Sequence, residues 1–265
     1  MITTIKQDTL EYLVAEGISA PHCFTTRLGG VSTGVMAGLN IAIKEGESPE
    51  NVAQNLQLLA DALDFSLDNL VCTRQTHTGI IRKVTRADHI SIYHRDYPEC
   101  DGLITNDPGT ALIVFTADCT PILLHDPVTG AVGAVHAGWR GTAADIAGNA
   151  VRAMIAEFGC DPGNIRAAIG PNISVCCFET DAEVPQAMTK TFGQAVETFI
   201  RQVGQKYYVN LKEINALALR RAGVCHIEIS RDCTMCQPQR FWSHRYTRGL
   251  RGSQGAIIVC KEVQP

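Results

Sequence analysis

The sequence has no excess of positive charge: 23 lysines and arginines stand against 27 aspartates and glutamates, for a net charge of -4. Nucleic acid binding rests on clustered cations that displace counterions, so it is not expected here. Charged residues make up only 19% of the chain and hydrophobic residues 45%, as in an ordinary globular protein. No stretch approaches about 18 uninterrupted apolar residues, and the opening Met1-Ile2-Thr3-Thr4-Ile5-Lys6-Gln7-Asp8 lacks the apolar core of a signal peptide. No membrane partner is expected, and the expected compartment is the cytoplasm. Long-period repeats, low-complexity segments and linkers are also missing. The 265 residues therefore read as one domain, 1–265, long enough to bury a full core, and a monomer is expected.

Eleven cysteines is a high, odd count, yet they follow no regular disulfide framework, and a reducing compartment would keep them as thiols. Cys23, Cys72, Cys225 and Cys260 fall in apolar runs and read as small buried hydrophobes. Cys233-Thr234-Met235-Cys236 has a metal-ligand spacing, but no second Cys-x-x-Cys or His-x-x-x-His follows, and His244 alone does not complete a site. Cys119 is the exception. Runs 111–115, 121–124 and 131–135 are rich in Val, Ile and Leu and bounded by turn residues, so they read as consecutive buried strands. The first leads to Thr116-Ala117-Asp118-Cys119 and the third to His136-Ala137-Gly138-Trp139-Arg140-Gly141. A thiolate and an imidazole at adjacent strand ends supply two of the three ligands an open zinc site needs. His77, in the polar loop Gln75-Thr76-His77-Thr78-Gly79, is the third candidate, or else a solvated loop histidine.

Other signals surround these. Arg27-Leu28-Gly29-Gly30-Val31-Ser32 is either a plain hairpin turn or a nest of backbone N–H groups for an anion, with Arg27 adding charge. Ser48-Pro49-Glu50 starts a helix whose core face is Val52, Leu56, Leu59, Ala60 and Leu63. Thr142 and Asp145 form a cap for a helix over Ile146 to Phe158, as do Thr180 with Glu183 and Asn210 with Glu213 for two later ones. The turn before Thr142 sets Trp139 and Arg140 beside a helix start, where an anion or planar ring can be held, although Trp139 reads equally as core. Strands outnumber helices and mix hairpins with strand-helix-strand units, which gives an α/β (α+β) class with mixed sheets.

Gln75-Thr76-His77-Thr78-Gly79, Thr116-Ala117-Asp118-Cys119-Thr120-Pro121 and His136-Ala137-Gly138-Trp139-Arg140-Gly141 together resemble the signatures of the YfiH-type family, long called multicopper polyphenol oxidoreductases or laccase-domain proteins. Asp101-Gly102-Leu103-Ile104-Thr105, Ile169-Gly170-Pro171 and Cys177-Phe178-Glu179 match in the same order. The resemblance implies a single domain of layered α/β/β/α architecture with zinc held by His77, Cys119 and His136. It also implies phosphorolysis of purine nucleosides, methylthioadenosine included, with adenosine deamination as a companion activity; the partners are then a nucleoside and phosphate. Two departures concern phosphate. Where the family usually has Asn-Arg this chain has Asn55-Leu56, and where it has Thr-Gly-Arg this chain has Arg251-Gly252-Ser253, so Arg245 or Arg251 would have to substitute.

Gly30, Arg27 and Arg140 are the phosphate candidates, with Trp139 and Arg245 at the substrate. Asp118 is a candidate general acid or base, or a partner to a ligand histidine; strand alternation favours the latter unless the chain turns there. Copper is the alternative metal, since His2Cys also suits a blue-copper site. A multicopper oxidase, however, needs more histidines than the six left over, none in a His-x-His pair. A cysteine hydrolase built on Cys119 and His136, and a role in editing peptidoglycan precursors, are the remaining readings.

Overall fold

The computed structural model describes residues 1–94 and 96–262. In chain order the first strands are β1 (Ile2–Gln7), β2 (Leu10–Ala15), β3 (His22–Thr25), β4 (Leu70–Val71) and β5 (Ile81–Lys83). Next come β6 (Gly102–Thr105), β7 (Ala111–Thr116), β8 (Thr120–His125), β9 (Val132–Ala137) and β10 (Arg166–Ile169). The last are β11 (Glu179–Thr180), β12 (Ile200–Val203), β13 (Lys206–Val209), β14 (His226–Ile229) and β15 (Gln254–Val259). The helices are α1 (Pro49–Leu63), α2 (Trp139–Ala143), α3 (Ile146–Phe158), α4 (Glu183–Phe192), α5 (Leu211–Arg221) and α6 (His244–Thr247).

Two six-stranded sheets dominate, ordered β1-β2-β3-β15-β7-β4 and β14-β10-β8-β9-β6-β5, with a small sheet β11-β13-β12 beside them. Alternation along each strand decides the layering. In β7, Leu112 and Val114 face the second sheet, while Ala111 and Ile113 face α1 through Leu56, Leu59 and Leu63. In β8, Leu123 faces the first sheet, and Ile122 and Leu124 face the helical layer through Ala150, Met154 and Ile214. Strands covered on both faces are apolar throughout, which is why they read as unbroken runs. The result is the α/β/β/α order: α1, first sheet, second sheet, then α3, α4 and α5.

Capping accounts for some helix starts and not others. Ser48 accepts the N–H groups of Glu50 and Asn51 at the start of α1, and Asn210 accepts that of Glu213 at α5. The Thr142–Asp145 cap is corrected: Asp145 takes a left-handed backbone with no capping bond, because the chain kinks there between α2 and α3. Its carboxylate pairs with Arg152 instead, at 2.6 Å. Thr180 likewise caps nothing. It lies in β11, and Ala182 precedes α4 without a side-chain cap. Cys225 is exposed rather than buried, whereas Cys23, Cys72 and Cys260 are buried as expected.

Candidate metal centre and its cavity

β8 and β9 are antiparallel, with Pro121 opposite His136 and Thr120 opposite Ala137, so the start of β8 lies against the end of β9. Cys119 therefore comes beside His136 where the chain passes from the first sheet, through β7, into the second. His77 arrives from the far edge of the first sheet. β4 pairs with β7 only at Ala111 and Leu112, and beyond it the Gln75 amide continues the ladder, donating to the Phe115 carbonyl and accepting the Phe115 N–H, both at 2.7 Å. Two residues later His77 adopts a positive φ of 64° and turns its ring inward.

The ligand atoms of His77, Cys119 and His136 all lie within 4.8 Å of one another. Cys119 Sγ is 3.8 Å from His77 Nε2, and the two imidazoles meet edge to face with centroids 5.0 Å apart. Gly138 makes this approach possible: a Cβ there would stand 2.7 Å from His77 Cδ2 and 3.3 Å from Cys119 Sγ.

Asp101, fully buried, organises the group. Its Oδ1 accepts His136 Nδ1–H at 2.8 Å and the His77 N–H at 3.0 Å; its Oδ2 accepts the N–H and hydroxyl of Thr78 at 2.7 and 2.8 Å. A carboxylate can only accept there, so His136 Nδ1 keeps a proton and Nε2 is the nitrogen able to give its lone pair to a metal once its own proton is lost, the arrangement of a metal-ligating histidine. Burial would raise the Asp101 pKa, but the hydrogen bonds from His136 and Thr78 hold it down at about 2. Burial likewise pushes the Cys119 thiol up, yet the charge and hydrogen bond of His136, then His77, bring it to about 6. Burial lowers His136, and the Cys119 charge followed by the Asp101 hydrogen bond raises it to about 9. Two nitrogens and one readily ionised sulfur, with no other protein donor in the group, fit a zinc ion with an open position.

Asp101 was not singled out in the sequence, where it reads as a turn residue before a strand. Asp118 was, and its reading as a partner to a ligand histidine is corrected. The chain does turn there, at φ 88°, and the Asp118 carboxylate accepts Thr234 Oγ1–H at 2.6 Å and the Arg245 N–H at 2.7 Å, touching neither histidine.

A cavity of about 570 Å³ opens beside the three ligands. Phe115, Ile43 and Val52 contribute apolar wall, and Lys44, Arg251 and Ser253 contribute polar groups. Lys44 has no acidic partner among the described residues; burial, then the neighbouring charge of Arg251, lowers its pKa to about 8. Arg251 donates to Gly252 O and Ser253 Oγ, and its buried Nε has no partner. Arg74 also lines it, paired with Glu99 at 2.8 Å, whereas the candidates Arg27, Gly30, Trp139, Arg140 and Arg245 do not. Arg27 stacks on Trp242 at 3.8 Å and donates to the Pro238 and Ala37 carbonyls. Gly30 is pressed against Asn55 Oδ1 and the Gly38 carbonyl, which faces the loop with oxygen rather than leaving it open to an anion. Trp139 packs on the helical core with Arg140 over its ring at 4.1 Å, and the Arg245 guanidinium donates to Glu179 O. Leu56 lies within the apolar layer under α1, so the arginine missing at that position leaves no gap on the cavity wall. Only one other group of metal-donor side chains occurs among the described residues, and it contains no histidine.

An α/β/β/α sandwich with a His-Cys-His group at the passage between its sheets defines the class. The chain belongs to the family described as multi-copper polyphenol oxidoreductase laccase, which it matches over residues 21–261. It is 38% identical to Purine nucleoside phosphorylase YlmD of Geobacillus stearothermophilus over 244 residues, covering 90% of this chain and 89% of that one. It is 33% identical to Adenosine deaminase RL5 of an unknown prokaryotic organism, covering 91% and 94%. The crystal structure of YlmD from G. stearothermophilus superposes with a TM-score of 0.91 at 36% identity, over 98% of this chain and 99% of that one.

Proposed function

We propose that the chain is a zinc-dependent purine nucleoside enzyme acting in the cytoplasm. It splits adenosine, inosine and methylthioadenosine with phosphate into free base and ribose 1-phosphate, and deaminates adenosine as a companion activity. One observation carries the reading: a single cavity joins a His2Cys donor set to the cations Lys44 and Arg251, with Ile43, Val52 and Phe115 among the apolar side chains on its wall. The names of the relatives above point the same way.

In phosphorolysis, a phosphate oxygen attacks the anomeric carbon. The bond from that carbon to the base breaks, its electron pair leaves with the base, and the base takes up a proton. Lys44 and Arg251 hold the phosphate by charge-assisted hydrogen bonds, with the Ser253 hydroxyl between backbone and anion. Phe115 and Ile43 offer the flat apolar surface a purine needs. His77, Cys119 and His136 would hold zinc, which supplies Lewis acidity toward the substrate and acidifies water. Asp101 keeps His136 in the ligating tautomer and fixes the loop of His77. No carboxylate lines the cavity among the described residues, whereas nucleobase deaminases of the zinc class use a glutamate for proton transfer. Deamination is accordingly assigned as the slower reaction.

The test is incubation of the zinc-loaded protein with adenosine or inosine, with and without phosphate. Adenine, or hypoxanthine, with ribose 1-phosphate is expected only when phosphate is present, and a trace of inosine from adenosine either way. A loaded protein that converts neither nucleoside would sink the reading.

A further inference from the structure

β10 and β14 run parallel, so their C-terminal ends release the chain side by side, and a bridge between Asn172 and Cys233 prolongs the pairing into the two loops that follow. One loop carries Cys176 and Cys177, the other Cys233 and Cys236. Their four sulfurs all lie within 4.8 Å of one another, with Cys177 to Cys236 at 3.3 Å and Cys176 to Cys236 at 3.6 Å. Four sulfurs held about 2.3 Å from one ion at tetrahedral corners stand about 3.8 Å apart, whereas a disulfide needs about 2.05 Å. The Cys-x-x-Cys half of this group is visible in the sequence. The other half is two adjacent cysteines, a spacing that no motif search flags, and only the parallel pairing of β10 with β14 delivers it.

The surroundings are those of a thiolate cluster. Ser174 N–H donates to Cys233 Sγ at 3.3 Å. The buried Lys212 ammonium donates to Ser174 Oγ, Ser230 O and Asp232 O at 3.0, 2.8 and 2.6 Å, so a cation is fixed between the same two loops. Four thiolates with a divalent ion retain a net negative charge, which Lys212 offsets in part. Neither a carboxylate nor a histidine joins the group, and tetrahedral all-sulfur donation selects zinc over harder ions.

We propose that Cys176, Cys177, Cys233 and Cys236 bind a second zinc ion, separate from the His-Cys-His centre and closed by four protein ligands. Its role is structural. Thr234, inside the Cys-x-x-Cys turn, donates from its backbone to Asn172 O and from its hydroxyl to Asp118 Oδ1, while Ile173 N–H donates to Asp118 O. An ion joining the two loops therefore braces Asp118, the neighbour of Cys119.

Metal analysis of the protein purified under reducing conditions tests this. Wild type should hold about two zinc ions, Cys119→Ala about one, and the pair Cys176→Ser with Cys236→Ser about one. Because the double variant can misfold, the deciding sample is Cys119→Ala reloaded with cobalt: it should show intense thiolate-to-cobalt absorption and protect four thiols from alkylation. A Cys119→Ala protein that binds no metal and alkylates freely would overturn the proposal. So would a mass two hydrogens light at Cys177 and Cys236, which marks a disulfide, or bound iron with acid-labile sulfide. None of these readouts depends on nucleoside turnover, so this site and the proposed activity fail separately.

Discussion

A single oxygen, Asp101 Oδ1, accepts both the His136 ring proton at 2.8 Å and the His77 backbone N–H at 3.0 Å. One carboxylate thus sets the tautomer of one ligand and the main-chain position of another.

Asp101→Asn should therefore weaken zinc without removing a ligand. The amide can present its NH2 to His136, reversing the tautomer, and losing such a partner typically lowers metal affinity about 10–100-fold. Competition against a chromophoric chelator measures it, and unchanged affinity would show that Asp101 only braces the loop.

Lys44→Met and Arg251→Met should each raise the phosphate KM or lower kcat by about 10²-fold with zinc content unchanged, the scale of one lost charge-stabilising contact. Arg27→Ala and Arg140→Ala should leave phosphate dependence as it is, since neither lines the cavity. Arg27→Ala should instead lower Tm, because its guanidinium covers Trp242.

The Lys44 pKa, lowered to about 8 by burial and then by Arg251, gives a pH dependence. Below that value the ammonium is charged and attracts phosphate; above it the charge is lost, although an ordinary lysine would keep it. The phosphate KM should climb as pH rises through about 8 in wild type and change little in Lys44→Met. Parallel profiles would place the anion elsewhere.

Gly138→Ala should cost the metal while sparing the fold. The new Cβ would meet His77 Cδ2 at 2.7 Å, and His77, on an exposed loop, is the group free to move. Loss of zinc with an unchanged far-ultraviolet spectrum is expected; full zinc retention would contradict it.

Acid should destabilise the protein through two buried histidines, His22 and His125. Burial lowers His125 from 6.5 to about 4, and lowers His22, whose Nε2 accepts the Ala15 N–H and so has no room for a second proton. Both bind protons more readily once unfolded, so the stability present above about pH 6.5 declines as pH falls toward about 4. His125→Gln should flatten that decline in denaturant titrations across this window.

Cys119 and His136 are legible in the sequence because their signal is local, apolar runs of strand length that lead into a donor residue, whereas His77 in its polar loop and the layered order came with the family resemblance. Asp101 was not legible, since its partners are the backbone of a loop some 25 residues away and a histidine 35 residues on. The threonines flanking His77 were the available hint, as Thr78 sends both its N–H and its hydroxyl to that carboxylate. The β1–β2 hairpin escaped notice because its turn is Asp8-Thr9 rather than Asp-Gly, with Asp8 itself at φ 51°. The sequence's phosphate candidates lie off the cavity for a different reason. Glycines beside an arginine look the same in sequence whether they cradle an anion or, as Gly29 and Gly30 do, let two backbone segments pack closely. Lys44 carries no motif; only the fold brings it to Arg251.

The Gln75 amide, which stands in for a strand against Phe115, also has a bearing on solubility. β4 is two residues long, and past it the outer edge of β7 would present a free N–H and C=O at Phe115, the kind of open edge on which another chain can add a strand. One side chain occupies both groups. This edge, whose Gln75 and Phe115 also line the cavity, is thereby kept from acting as a template for aggregation.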